Sequence, residues 1–125
     1  MNLKKALYWL ATLIVAFAMI AGGSADFLLL DPVKEAMDHL GYPYYFAQLI
    51  GAWKVLGGVA ITVPGFAKLK EWAYAGIFFD LTGAFVSHLN VGDGAGDFMP
   101  PVVVAVFLVV SYALRGARDE LWKQR

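Results

Sequence analysis

The sequence predicts an all-α fold, a transmembrane four-helix bundle with a short outer surface helix between spans one and two. Three observations predict it. Apolar residues make up 60% of the chain and charged residues only 16%, against roughly 45–50% and about 25% in soluble domains. The apolar residues gather in four stretches, each near the roughly 20 residues that carry a helix across the hydrocarbon. Those stretches are continuous rather than alternating and rich in Ala and Leu, which favours helices over barrel strands. The 125 residues are read as a single integral membrane domain. Ten basic residues balance ten acidic ones, which argues against a nucleic-acid partner. The chain has no cysteine. That excludes disulfides, iron–sulfur clusters, thiolate zinc sites and thiol redox chemistry within it.

Span one occupies about residues 6–27. A cleaved signal peptide is the competing reading, with Lys4 and Lys5 as its basic start and Gly23-Ser24-Ala25 as a small-residue site. The apolar run is long for such a leader and resumes at Phe27 to Leu30, so the span is preferred. The next segment reads as the surface helix. Asp31 suits its cap, Pro32 its first position and Gly41 its stop. Val33, Met37 and Leu40 share one side, as in a helix lying among headgroups. Span two covers about residues 44–63 and span three 72–91. The short segment Pro64 to Glu71 makes them antiparallel neighbours. Gly92 to Asp97 is a glycine-rich acidic turn. It lacks the spacing and closing Glu of a calcium loop, and no strand or Gly-Lys-Ser/Thr makes it a phosphate loop. Span four covers about residues 98–114. The basic tail, Arg115 to Arg125, suits contact with headgroups.

Basic residues set the orientation. With both termini cytoplasmic, Lys4, Lys5, Lys68, Lys70, Arg115, Arg118, Lys123 and Arg125 lie inside and only Lys34 outside. Asp31, Glu35, Asp38, Asp93 and Asp97 gather outside. Tyr8, Trp9, Trp72, Tyr74 and Tyr112 fall near the inner interface, and Tyr42, Tyr44 and Tyr45 near the outer one. This is the pattern of interfacial aromatic belts.

Two ionisable residues, Lys54 and Asp80, fall in the middle of spans. Each alone in lipid costs about 2.5–3.5 kcal/mol on insertion scales. In an antiparallel pair ending at Val63 and restarting at Trp72, they lie within one residue of the same depth, about 1.5 Å along the axis. An ion pair or hydrogen bond between them is the leading geometric expectation. At about 100° per residue, Asp80 shares a stripe with Ala73, Gly76, Gly83, Ala84 and Ser87, while Phe78, Phe79 and Phe85 point away. Lys54 shares a side with Gly51, Gly57 and Gly58, and glycine on both helices permits close approach. The pair is either a fastening that fixes register or a functional group that handles protons or holds a ligand headgroup.

A second polar cluster is expected nearer the outer face, from Asp26, Gln48, Ser87 and His88, with Ser24 and Asn90 close by. His88 suits an acid–base or pH-sensitive role; the plainer alternative is a histidine hydrated at the interface. His39 is expected to be exposed. One histidine with scattered carboxylates makes no convincing metal site, and no Ser-His-Asp or paired-carboxylate arrangement is evident.

Several segments resemble the DoxX-like family of small bacterial membrane proteins. They are Asp31-Pro32, Leu40-Gly41-Tyr42-Pro43, Lys54-Val55-Leu56-Gly57, Pro64-Gly65-Phe66, Leu69-Lys70-Glu71-Trp72-Ala73-Tyr74-Ala75-Gly76, Phe79-Asp80-Leu81-Thr82-Gly83-Ala84 and Ser87-His88. The resemblance covers nearly the whole chain. It implies a four-helix bundle in the bacterial inner membrane, in a group named after a membrane subunit associated with thiosulfate–quinone oxidoreduction. It carries over no catalytic residue. Three functions stay open. One is a bundle that binds a lipophilic molecule, with quinone as a candidate, and assists a membrane redox system; any redox chemistry would come from the bound quinone, since the chain holds no cofactor ligands of its own. The second is a structural subunit that pairs with a second copy or a redox partner. The third is a lipid-modifying enzyme using Asp80 or His88 as acid–base group. A transporter is less favoured, because four short spans leave little room for alternating access.

Overall fold

The computed structural model describes residues 2–123, with side chains described for residues 2–116. These residues form five helices and no strand: α1 (Leu3–Phe27), α2 (Asp31–Leu40), α3 (Tyr44–Thr62), α4 (Ala67–Asn90) and α5 (Ala95–Lys123). By length and apolarity α1, α3 and the Ala95–Gly116 part of α5 suit a membrane crossing. With 24 residues α4 is long enough. Lys68, Lys70, Glu71, Asp80, Ser87 and His88 dilute its apolarity, so three of the four expected spans carry the full signature.

The helix ends follow local chemistry. Asn2 caps α1, its side chain accepting from the Lys5 amide at 2.8 Å. The expected cap of α2 needs a correction. Leu30 holds the cap position without a side-chain bond, and Asp31 lies in the first turn, where its charge complements the helix dipole. Gly41 ends α2 in the left-handed region, φ 83°, a conformation that costs glycine little. Between α3 and α4, Gly65 and Phe66 both take positive φ. Lys70 then reaches back from α4, donating to the carbonyls of Ala60, at 3.0 Å, and Val63. That places a cation on the unsatisfied carbonyl end of α3. Helix α5 starts at Ala95, three residues ahead of the expected span, with Asp97 in its first turn. The expected basic tail is helical to Lys123; the side chains of Arg118, Lys123 and Arg125 lie outside the described residues.

The helices form a ring in which α1 packs most extensively on α3, then on α5, and α4 closes against α5 and more thinly against α3. Sequence neighbours α3 and α4 therefore share the weakest long seam. Glycine explains the contrast. A Cβ at Gly51 would sit 2.5 Å from the Gly23 carbonyl and 2.7 Å from the Phe27 amide, and one at Gly58 would meet Ile20 at 2.9 Å. Backbone of α1 and α3 thus touches where side chains are missing, as small-residue packing in membranes requires. Gly76 and Gly83 have nothing within 4 Å of a Cβ. The expected close approach belongs to α1 and α3, and the glycine stripe of α4 faces open space instead.

The core unites Val15, Ala16 and Met19 of α1, Ile61 of α3, Tyr74, Ile77 and Leu81 of α4, and Leu108 of α5. Leu10, Phe17, Leu49, Trp53, Trp72, Phe79, Val86 and Val106 are exposed on the outside. A water-soluble protein would hide such a girdle; in lipid it is the solvent-facing surface. Phe78 faces outward as expected; Phe79 is exposed too but borders the same open space as Asp80, and Phe85 packs edge-on against Phe98 of α5.

Three hydroxyls are hidden in this core. Ser111 Oγ lies 2.5 Å from Thr12 Oγ1 and 2.7 Å from the Tyr74 hydroxyl. They join α5, α1 and α4, and each satisfies a group that would be costly unpaired in low dielectric. Tyr8 and Tyr74, expected in the interfacial belt, are instead 1% and 4% exposed. Tyr74 turns inward to bond Ser111, and Tyr8 is packed in the buried interior edge-on to Trp9.

Candidate functional site

The thin seam between α3 and α4 opens into a groove of about 700 Å³, within the usual range of small-ligand sites. It runs from Met37 and Leu40 of α2 down to Leu69 and Trp72 at the opposite end. Its walls are mostly apolar and aromatic. Gly57 of α3 and Gly76 and Gly83 of α4 line it, and the last two keep it wide, because no side chain projects from them. Trp53, Trp72 and Phe79 stand at its lips, 63%, 79% and 69% exposed.

Polar groups enter this groove in two layers. In the middle are Asp26, Lys54 and Asp80. The expected Lys54–Asp80 ion pair is corrected here: Lys54 Nζ donates to Asp26 Oδ2 at 2.9 Å. The cause is packing. The Lys54 stem leaves α3 against Gly23, and its tip lies beside Gly22, so the chain is guided along α1 to the carboxylate one turn further on. Both partners are about one-fifth exposed, 19% and 21%. Asp80 shares the groove and interacts with Lys54 and Asp26 through space, without a salt bridge among the described residues.

The upper layer does not form the expected single cluster of Asp26, Gln48, Ser87 and His88. Asp26 belongs to Lys54. Gln48 Nε2 donates to the Phe27 carbonyl over a long 3.4 Å. Ser87 Oγ meets the Tyr42 hydroxyl at 2.7 Å. His88 Nδ1 lies 2.6 Å from Asp93 Oδ2, and His39 Nε2 lies 2.6 Å from Asp93 Oδ1. His39 is exposed as expected, yet it is also one arm of a clasp that joins α2 to the end of α4. No spacing marks Asp93 or Tyr42 as partners, since both lie in connecting segments brought in by the fold.

The clasp has an acid-side consequence. The hydrogen bond from His88, then that from His39, holds the Asp93 carboxyl below the ordinary carboxylate range, against a smaller desolvation effect. A carboxyl lowered in the folded state stabilises above its unfolded value, about pH 4. It loses that contribution as pH falls through the lowered value. The melting-temperature difference between wild type and Asp93→Asn is therefore expected to hold near about pH 5 and to shrink toward zero below about pH 4. A difference that stays constant through that acid range would contradict the clasp.

At the opposite end of the bundle a second fastening joins α4 to α5. Arg115 donates to Glu71 Oε1 through Nε at 3.1 Å and Nη2 at 2.8 Å, and Tyr112 donates to Glu71 Oε2 at 2.9 Å. The guanidinium lies 3.8 Å over the Tyr112 ring. The segment Lys70-Glu71-Trp72-Ala73-Tyr74-Ala75-Gly76 thus spends Lys70, Glu71 and Tyr74 on holding helices together. Trp72, Ala73 and Gly76 are left to line the groove. Among the described residues no cluster of His, Asp or Glu is disposed to hold a metal ion.

A family model described as the DoxX-like family matches residues 10–111. No curated protein and no solved structure matches the chain.

Proposed function

The chain belongs to the DoxX-like family, and from that premise we propose that it spans the membrane four times and holds a lipophilic small molecule between α3 and α4. The observation that carries this reading is the groove itself, mostly apolar and aromatic, with charged side chains only at chosen depths. A solute of the bilayer would slide in between Trp53 and Phe79 and set its polar head at the level of Lys54 and Asp80. The fourth span is α4, whose Asp80, Ser87 and His88 line the groove and whose Glu71 and Tyr74 bond to α5. Basic residues favour the sequence segments read as internal over those read as external, eight against one, which supports both termini lying in the cytoplasm of a bacterial cell. A quinone is the first candidate ligand, and through it the protein would assist a membrane redox system.

The test compares lipophiles that co-purify with wild type and with Gly83→Leu in an uncharged detergent. The new side chain fills the groove where nothing lies within 4 Å of a Cβ, so folding is expected to be kept. A near-stoichiometric lipophile in wild type, reduced about tenfold or more in the variant, supports the reading. Equal amounts in both sink it. A second reading is favoured by one observation: His88 lines the groove and its Nδ1 is oriented by Asp93, as a carboxylate orients an acid–base imidazole. On that reading the protein is a lipid-modifying enzyme, and an added amphiphile would be chemically converted rather than merely retained. The structural-subunit alternative rests on Lys54 and Asp26 neutralising each other without any ligand.

A further inference from the structure

Four side chains of the acid, lysine and histidine types line the groove: Asp26, Lys54, Asp80 and His88. Three of them are matched by protein. Lys54 and Asp26 meet at 2.9 Å, and His88 is held by Asp93 at 2.6 Å. Asp80 has no salt bridge among the described residues. With Lys54 drawn toward α1, the middle layer holds two carboxyl groups against one ammonium. One negative charge is left over whenever Asp80 is ionised. A carboxylate without a matched cation at mid-membrane depth is expensive, and a ligand that brings the missing charge removes that cost.

The walls suit the same ligand. Tyr42 and Phe46 stack at 4.7 Å and line the groove together with Trp53, Trp72 and Phe79. Aromatic faces attract cations and repel anions through the ring quadrupole. An anionic headgroup would meet the Asp80 carboxylate and find Lys54 already engaged. A neutral one, a quinone included, would gain apolar contact and hydrogen bonds but no pairing of charge, and so would be held less tightly than a cation. We infer that the groove selects lipophilic cations, molecules that carry a positive charge on an apolar body, with Asp80 as their counter-ion. This rests on the groove being a binding site, and it adds the sign of the charge the site prefers.

Tetraphenylphosphonium and tetraphenylborate test it, being nearly the same size and opposite in charge, with neutral triphenylphosphine oxide as the third probe. Binding to the full chain in maltoside micelles is measured after subtraction of uptake by empty micelles. The phosphonium is expected to bind about tenfold or more tightly than the borate or the neutral probe. In Asp80→Asn, nearly the same in shape, the cation's advantage is expected to fall to about one, while Gly83→Leu weakens all probes together. Equal or tighter binding of the borate or the neutral probe overturns the cation preference and leaves the groove standing. A cation advantage that survives Asp80→Asn overturns Asp80 as the counter-ion and also leaves the groove standing. Absence of binding by all three, or binding indifferent to Gly83→Leu, overturns the groove reading and the inference with it.

Discussion

Gly51→Ala is expected to lower stability by about 3 kcal/mol, at the upper end of what overpacking usually costs. The added methyl would lie 2.5 Å from the Gly23 carbonyl oxygen, 2.7 Å from the Phe27 amide and 2.9 Å from the Asp26 Cβ. Two of those three neighbours are backbone, which no rotamer change can move aside. The helices must separate, and the Lys54–Asp26 bond is disturbed along with them. Gly83→Ala is the matched control. It meets nothing within 4 Å and is expected to be neutral or to gain up to about 1 kcal/mol from helix propensity. Denaturant or thermal unfolding in maltoside micelles compares the two. A Gly51→Ala protein as stable as Gly83→Ala would show that α1 and α3 do not approach through their glycines.

The second large effect concerns the charge pair. Asp26→Leu leaves Lys54 without its partner, and Lys54→Met leaves Asp26 without its own. Breaking a buried pair from one side costs about 3–5 kcal/mol. With each side chain about one-fifth exposed, about 2–3 kcal/mol is expected for either single change. The double variant removes both charges and is expected to recover to within about 1 kcal/mol of wild type. Recovery is incomplete because Asp80 then loses the through-space influence of Lys54. Unfolding of all four proteins in one detergent supplies the double-mutant cycle. A double variant as weak as the poorer single would show that the two groups do not offset each other. Lipophile retention by a stable double variant would further separate a fastening from a ligand contact.

These two experiments bear on residues whose types were conspicuous in the sequence and whose partners were not. Lys54 and Asp80 stand out as charges inside apolar runs, and their common depth follows from a short loop joining two helices. The partner of Lys54 came from α1 because depth within one hairpin says nothing about a third helix. The glycines were equally visible, but spacing alone could not tell a glycine that admits another backbone from one that leaves a hole. Gly51 does the first and Gly83 the second. The buried hydroxyls of Thr12, Tyr74 and Ser111 gave weaker signals. Small polar residues are tolerated anywhere in an apolar run, and these three lie on three different helices, where no spacing relates them.

The helical class, the apolar surface, the stop at Gly41 and the gathering of basic residues in particular segments are all written in local sequence. Each is a property of a local stretch, set by backbone preference or by transfer from water to lipid, and neither depends on which helix lies beside which. Packing set the ring order, and with it everything that needs two distant segments at once. It tied Lys54 to Asp26 and Asp93 to both histidines, and it gathered three hydroxyls in the core. It also left α3 and α4 apart: the glycines of α1 and α3 let those two backbones meet, and the seam on the other side of α3 remains open as a groove.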